Sequence, residues 1–127
     1  MTIHSHAQFV TLLLAMLSTS VAPEEIPTAK HSSNGGVEVT IDNFAYSQRE
    51  LKITAGTRVT WVNRDDVPHT VTSSDKRFKS SGALDTDDAY SVVFDSPGTY
   101  TYFCAVHPHI TGSVIVTPKG ENHDGTK

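Results

Sequence analysis

The chain contains a single cysteine, Cys104, followed by Ala105-Val106 and then His107. The segment continues Pro108-His109-Ile110-Thr111-Gly112 into an apolar, β-prone run. A thiolate and an imidazole spaced this way on a short inter-strand loop can converge on one ion. His69 lies far upstream, directly after Val67-Pro68, at the start of another β-prone run. In a β-sandwich such a strand end can sit beside the loop that follows Cys104. Soft sulfur suits Cu(I) and imidazole suits both copper states, so one thiolate with two imidazoles is the trigonal set associated with electron-transfer copper. Zinc could take the same donors with water as a fourth ligand. The plain alternatives are a buried structural thiol at Cys104 and hydrogen-bonded surface histidines at His69 and His107. One thiol cannot form an internal disulfide, and in an oxidising compartment it must be buried or metal-bound to escape oxidation.

The elements that would position these residues are short strands and tight turns. Val37, Val39 and Ile41 alternate with Glu38 and Thr40, the period-two pattern of a half-buried strand. Further β-prone runs follow at Leu51–Thr54, Arg58–Asn63, His69–Ser73, Tyr90–Phe94, Thr99–Ala105 and Gly112–Thr117. Ala55-Gly56, Asp65-Asp66 and Ser96-Pro97-Gly98 supply turn chemistry between them. Asp75 to Asp88 reads as a loop or a single helical turn, and no segment has the length and period of a substantial helix. The expected fold is all-β, a Greek-key β-sandwich of seven or eight strands. An immunoglobulin-like sandwich would need a second cysteine to pair with Cys104. Asp95-Ser-Pro-Gly-Thr-Tyr100 predicts a corner in which a tyrosine hydroxyl caps the turn, and Trp61 with Val59 is expected in the core.

Four segments together, Ala55-Gly-Thr-Arg-Val-Thr-Trp-Val-Asn63, Val67-Pro-His-Thr-Val71, Gly98-Thr-Tyr-Thr-Tyr-Phe-Cys104 and His107-Pro-His-Ile-Thr-Gly112, resemble the cupredoxins, near their amicyanin, pseudoazurin and plastocyanin branch. The resemblance spans about Val37 to Thr117. It implies a cupredoxin-like sandwich holding one copper ion per chain, cycling between Cu(I) and Cu(II), with His69, Cys104 and His107 as equatorial ligands. It also implies that Thr70 helps tie the two ligand loops together. At the position of the axial methionine of the short-loop members this chain has Ile110, which has no donor atom. In a dry pocket that loss should favour Cu(I) and raise the reduction potential. The other option is His109 as a nitrogen donor giving a more tetragonal site. The trigonal form is favoured, because ligands at i and i+2 need not point the same way; His109 then stands at the surface near the metal.

The rest of the chain reads as accessory. Residues 1–22 are expected to be a signal peptide, with the apolar stretch Phe9–Leu17 too short to span a membrane and cleavage after Ala22 or Ala29. Neither Lys nor Arg precedes that stretch, and Pro23 follows the first cleavage point. Residues 23–36 read as a linker, 37–118 as the domain and 119–127 as a flexible tail. His4, His6, His31 and His123 fall in these outer segments and are expected to be incidental. The net charge of −4 is mild and interspersed, without a basic patch for nucleic acid or a cationic amphipathic helix for a membrane surface. The expectation is therefore an exported monomer, periplasmic or secreted, without membrane insertion of the mature domain. Its role would be carrying one electron to or from a redox partner protein. The alternative is a copper-tolerance role with copper-handling proteins. Three convergent ligands leave no open substrate position, so an enzyme is not expected.

Overall fold

The computed structural model describes residues 31–32 and 35–120, which form nine strands and no helix. In chain order these are β1 (His31–Ser32), β2 (Gly36–Asp42), β3 (Ala45–Tyr46), β4 (Glu50–Thr54), β5 (Thr57–Asn63), β6 (Thr72–Ser73), β7 (Ala89–Phe94), β8 (Gly98–Phe103) and β9 (Thr111–Thr117). One sheet runs β1-β2-β5-β7, with β3 paired to the end of β2; the other runs β4-β9-β8-β6. Two pairs are parallel: Val37 faces Val59 between β2 and β5, and Leu51 faces Val114 between β4 and β9. Parallel neighbours cannot be joined by a tight turn. The chain therefore passes through the opposite sheet between β2 and β5, which gives the sandwich its Greek-key character.

Alternation along the strands builds the core. Val39, Ile41, Val59, Trp61 and Val114 are fully buried, with Leu51, Ile53, Tyr100, Tyr102 and Val116 packed around them. Each such side chain contributes roughly 1.5–3 kcal/mol relative to exposure. Trp61 is the centre: Tyr102 meets it edge-on at 5.3 Å and Phe94 at 6.3 Å, while Phe78 and Tyr90 stack at 6.4 Å. At the end of the sandwich away from Cys104, Tyr100 Oη donates to the Ser96 carbonyl at 2.7 Å, which is the expected tyrosine corner. The Arg77 guanidinium lies 4.1 Å above the same ring.

The sequence reading needs correction in three places. Part of the expected 23–36 linker is ordered backbone, since His31–Ser32 pairs antiparallel with Gly36–Val37. This pairing and the hairpin strand β3 add two-residue elements at the edge of the Greek-key sandwich that the sequence led one to expect. The run His69–Ser73 is a strand only at Thr72–Ser73, because His69 pairs in an isolated bridge with Leu84. The strand before the cysteine ends at Phe103, so Cys104 already belongs to the loop. Asp75 to Asp88 takes the loop alternative of the sequence reading. The proposed signal, His4, His6, His123 and most of the tail lie outside the described residues.

Gly112 at the start of β9 faces Tyr102 so closely that a Cβ there would lie 2.5–2.8 Å from atoms of the ring and its hydroxyl. Gly112→Ala should cost about 1–3 kcal/mol of stability through overpacking. Equilibrium denaturation of the metal-free protein checks this.

Candidate metal centre

The centre lies where β5, β6 and β8 run out into loops. β5 ends at Asn63, a fully buried residue whose amide organises the loop leading to the first histidine. Asn63 Nδ2 donates to the carbonyls of Val67 at 2.8 Å and Leu84 at 2.9 Å, and its Oδ1 accepts from the Asp65 amide at 3.0 Å. His69 is then fixed through its own backbone, which exchanges hydrogen bonds with Leu84 at 3.1 and 2.8 Å. On the other side, Cys104 N–H donates to the Ile110 carbonyl at 3.0 Å. His107 N–H donates to the Cys104 carbonyl at 3.2 Å, and Ile110 N–H to the His107 carbonyl at 2.9 Å. These bonds curl the loop into two tight turns that aim Cys104 and His107 at the same point.

There the donors meet. Cys104 Sγ lies 3.6 Å from His69 Nδ1 and 3.8 Å from His107 Nδ1, and the three donor atoms lie within 4.8 Å of one another. His69 and Cys104 are fully buried, and His107 is half-buried on its loop. Metal–sulfur and metal–nitrogen bonds of about 2.3 and about 2.0 Å place sulfur and nitrogen about 3.5–3.7 Å apart at tetrahedral to trigonal angles, so both sulfur–nitrogen pairs match a shared ion to within about 0.1 Å. Thr70 N–H also donates to Cys104 Sγ at 3.4 Å. Thr70 Oγ1 accepts from Ala105 N–H at 2.7 Å, so this one residue joins the two ligand loops.

Two contributors escape the sequence reading. Asp65, read there as turn chemistry, is nearly buried and meets His69 Nε2 at 2.6 Å. Its oxygens also accept the backbone N–H groups of Asn43 at 2.6 Å and Phe44 at 2.9 Å. Burial pushes the Asp65 carboxyl up, but the Phe44 amide, the His69 ring and the Asn43 amide outweigh it and hold the group below the usual carboxylate range. An ionised Asp65 keeps the proton of His69 on Nε2, leaving the Nδ1 lone pair toward Cys104. The second contributor is Phe44, whose ring stands edge-on to His69 at 5.5 Å and to His107 at 5.1 Å. The signal for Asp65 was a carboxylate four residues before a candidate ligand; for Phe44 it was an aromatic residue in a turn sequence, Asp42-Asn43-Phe44. Tyr46, beneath the site, donates to the Thr70 carbonyl at 2.7 Å, and burial, then the charges of Cys104 and Tyr102, push its phenol well above the ordinary range.

The remaining candidates lie at the margin. Ile110 is buried in the core and brings no donor atom. His109 is exposed, outside the three-donor group, with its ring 6.3 Å from that of His107 and steeply inclined to it.

A Greek-key sandwich with a buried histidine–cysteine–histidine group at one end is the architecture of the cupredoxins. The model of the cupredoxin-like domain matches residues 8–116, and the chain belongs to that family. The family binds one type 1 copper ion, and its ligand group is present here as His69, Cys104 and His107. Amicyanin-alpha of Methylorubrum extorquens is 33% identical over 118 residues, covering 85% of this chain and 95% of that protein. Amicyanin of Paracoccus denitrificans is 32% identical over 108 residues, covering 80% and 82%. Among solved structures, a purple cupredoxin from Nitrosopumilus maritimus aligns with a TM-score of 0.59 at 34% identity, covering 63% of this chain and 98% of that one. A Cu(I) form of an amicyanin mutant aligns at 0.63 and 33% identity, covering 75% and 95%.

Thr70→Val keeps the shape of the side chain and removes the acceptor for Ala105 N–H. It should cost about 1 kcal/mol in stability and lower copper affinity about 10–100-fold. Denaturation and competition with a chelator of known affinity measure the two effects separately.

Proposed function

We propose that the protein is an exported one-electron carrier whose copper is held by His69, Cys104 and His107. The observation that carries this reading is the prearranged donor triangle, with Sγ–Nδ1 separations of 3.6 and 3.8 Å and each flank pinned by hydrogen bonds. When bound, copper supplies the one-electron couple. The protein's part is to keep the donors in place whichever state the metal is in. Asp65 holds the His69 ring, Thr70 holds the Cys104 loop, and the sheets behind them prevent relaxation, which lowers reorganisation on transfer. His107, half-buried on the loop beside exposed Val106, is the edge through which an electron leaves. Val106 is 58% exposed, and with Phe44 it offers an apolar contact for a redox partner protein. The chain's likeness to amicyanins supports the same role, and the proposed working unit is a monomer. Export rests on the leader expected at residues 1–22; among the described residues no helix is long and apolar enough to cross a membrane.

A second reading, a copper-tolerance protein that holds metal without a redox partner, is favoured by the donorless Ile110 and by His109 close to the site. Reversible potentiometric cycling with a partner oxidase or reductase supports the carrier. Copper sensitivity on deletion, with no partner that exchanges electrons, supports the holder.

Cys104→Ala should abolish the intense thiolate-to-copper absorption of the loaded protein while leaving the sandwich folded; a strongly coloured variant ends the copper reading. Ile110→Met should supply a weak axial thioether and lower the midpoint potential relative to the parent, because the added donor stabilises Cu(II). Spectroelectrochemical titration of both proteins measures the direction.

A further inference from the structure

Phe44 occupies a backbone conformation that its side chain disfavours. The hairpin between β2 and β3 turns through Asn43 at φ 48° and Phe44 at φ 56°, both left-handed. Two-residue turns of this kind favour Asn followed by Gly. Asn43 fits, but a bulky aromatic residue at the second position is an outlier that the surroundings must enforce. The enforcement is visible: both turn amides are gripped by the Asp65 carboxylate, which also holds His69. The ring that results is not a core residue, since 45% of Phe44 is exposed. Its inner edge instead stands perpendicular to both ligand rings, His69 and His107, which are 4.9 Å apart.

On its other side Phe44 lines a surface depression of about 190 Å³ together with Tyr46, Arg49, His109 and Ile110. None of the three donor residues lines that depression. The Arg49 guanidinium makes it attractive to small anions, whereas Phe44 and Ile110 bring only hydrocarbon to its lining. Ile110 is fixed by the core and by two backbone bonds, so the exposed ring of Phe44 is the movable part of the barrier.

We propose that Phe44 is the residue that sets the coordination number at this centre: it seals the route from the Arg49–His109 depression and keeps water and small anions off the metal. The inference rests on the copper reading above. Its chemistry is simple ligation, in which an anion donates an electron pair to Cu(II) and no electron is transferred.

The test is an azide titration of the full chain loaded with Cu(II), followed by absorption and electron paramagnetic resonance, for the parent protein, Phe44→Gly and Val93→Ala. Val93 is an exposed apolar residue on β7 and serves as the control. Phe44→Gly should bind azide about tenfold or more tightly than the parent, with a new azide-to-copper band, and Val93→Ala should match the parent. Glycine suits the left-handed turn, so metal-free Phe44→Gly should melt no lower than the metal-free parent. Equal azide responses in the parent and Phe44→Gly, whether both bind or neither does, overturn the proposal. So does a marked loss of metal-free stability in Phe44→Gly, which would make the ring a structural prop. Absence of the thiolate-to-copper band from the parent would instead defeat the copper reading and is seen before any azide is added.

Discussion

Thr70 touches the cysteine loop twice, through its backbone N–H to Cys104 Sγ and through its hydroxyl from Ala105 N–H. Those two bonds join segments that are 34 and 35 positions apart in the chain. They also join the loop that leaves β5 in one sheet to the loop that leaves β8 in the other. Without that link the sandwich would still close, because its core lies elsewhere. The distance between His69 and Cys104 would then be set by the short β6–β8 pairing, Thr72 with Phe103, and by how the two sheets pack. A metal centre needs tighter control, and directional bonds give it where apolar packing does not.

The distribution of buried polar groups follows from the same need. Among the described residues the buried polar ones are Asn63, Asp65, His69, Thr70 and Ser73, and four of these fall between positions 63 and 70. The body of the sandwich is apolar and aromatic; its polar interior is confined to the end that carries the donors. Asp65 is the most heavily used member, accepting two backbone N–H groups while holding a ligand ring. Its carboxylate therefore links the β2–β3 hairpin to His69, so a change in the hairpin reaches the metal site directly. Burying a charge is tolerated only when it is fully engaged in this way.

The donors were legible in the sequence because their chemistry resides in residue type and local context: a sole cysteine, a histidine three residues beyond it, and a histidine after Val-Pro. The tyrosine corner was legible for a similar reason, since Asp95-Ser-Pro-Gly admits few conformations. Longer strands showed their alternation, but β1 and β3, with two residues each, are too short to carry a period. Asp65 was hidden because a carboxylate in a polar turn is ordinarily solvated, and only the folded path of Asn63 turns it inward. Phe44 was hidden more deeply. Local preference argues against an aromatic residue in a left-handed turn, and the force that overrides it comes from a carboxylate more than twenty positions away.

The order in which the strands pair has a consequence for when the site can exist. Both parallel pairings, β2 with β5 and β4 with β9, join stretches distant in the chain, so the sandwich closes through non-local contacts and slowly by the standards of small domains. During that search His69 and the Cys104 loop are far from each other, and a nascent chain offers metal only the weak local pair of Cys104 and His107. Tight capture therefore belongs to the finished fold, and metal loading is a late event in the life of the molecule rather than the nucleus of its folding.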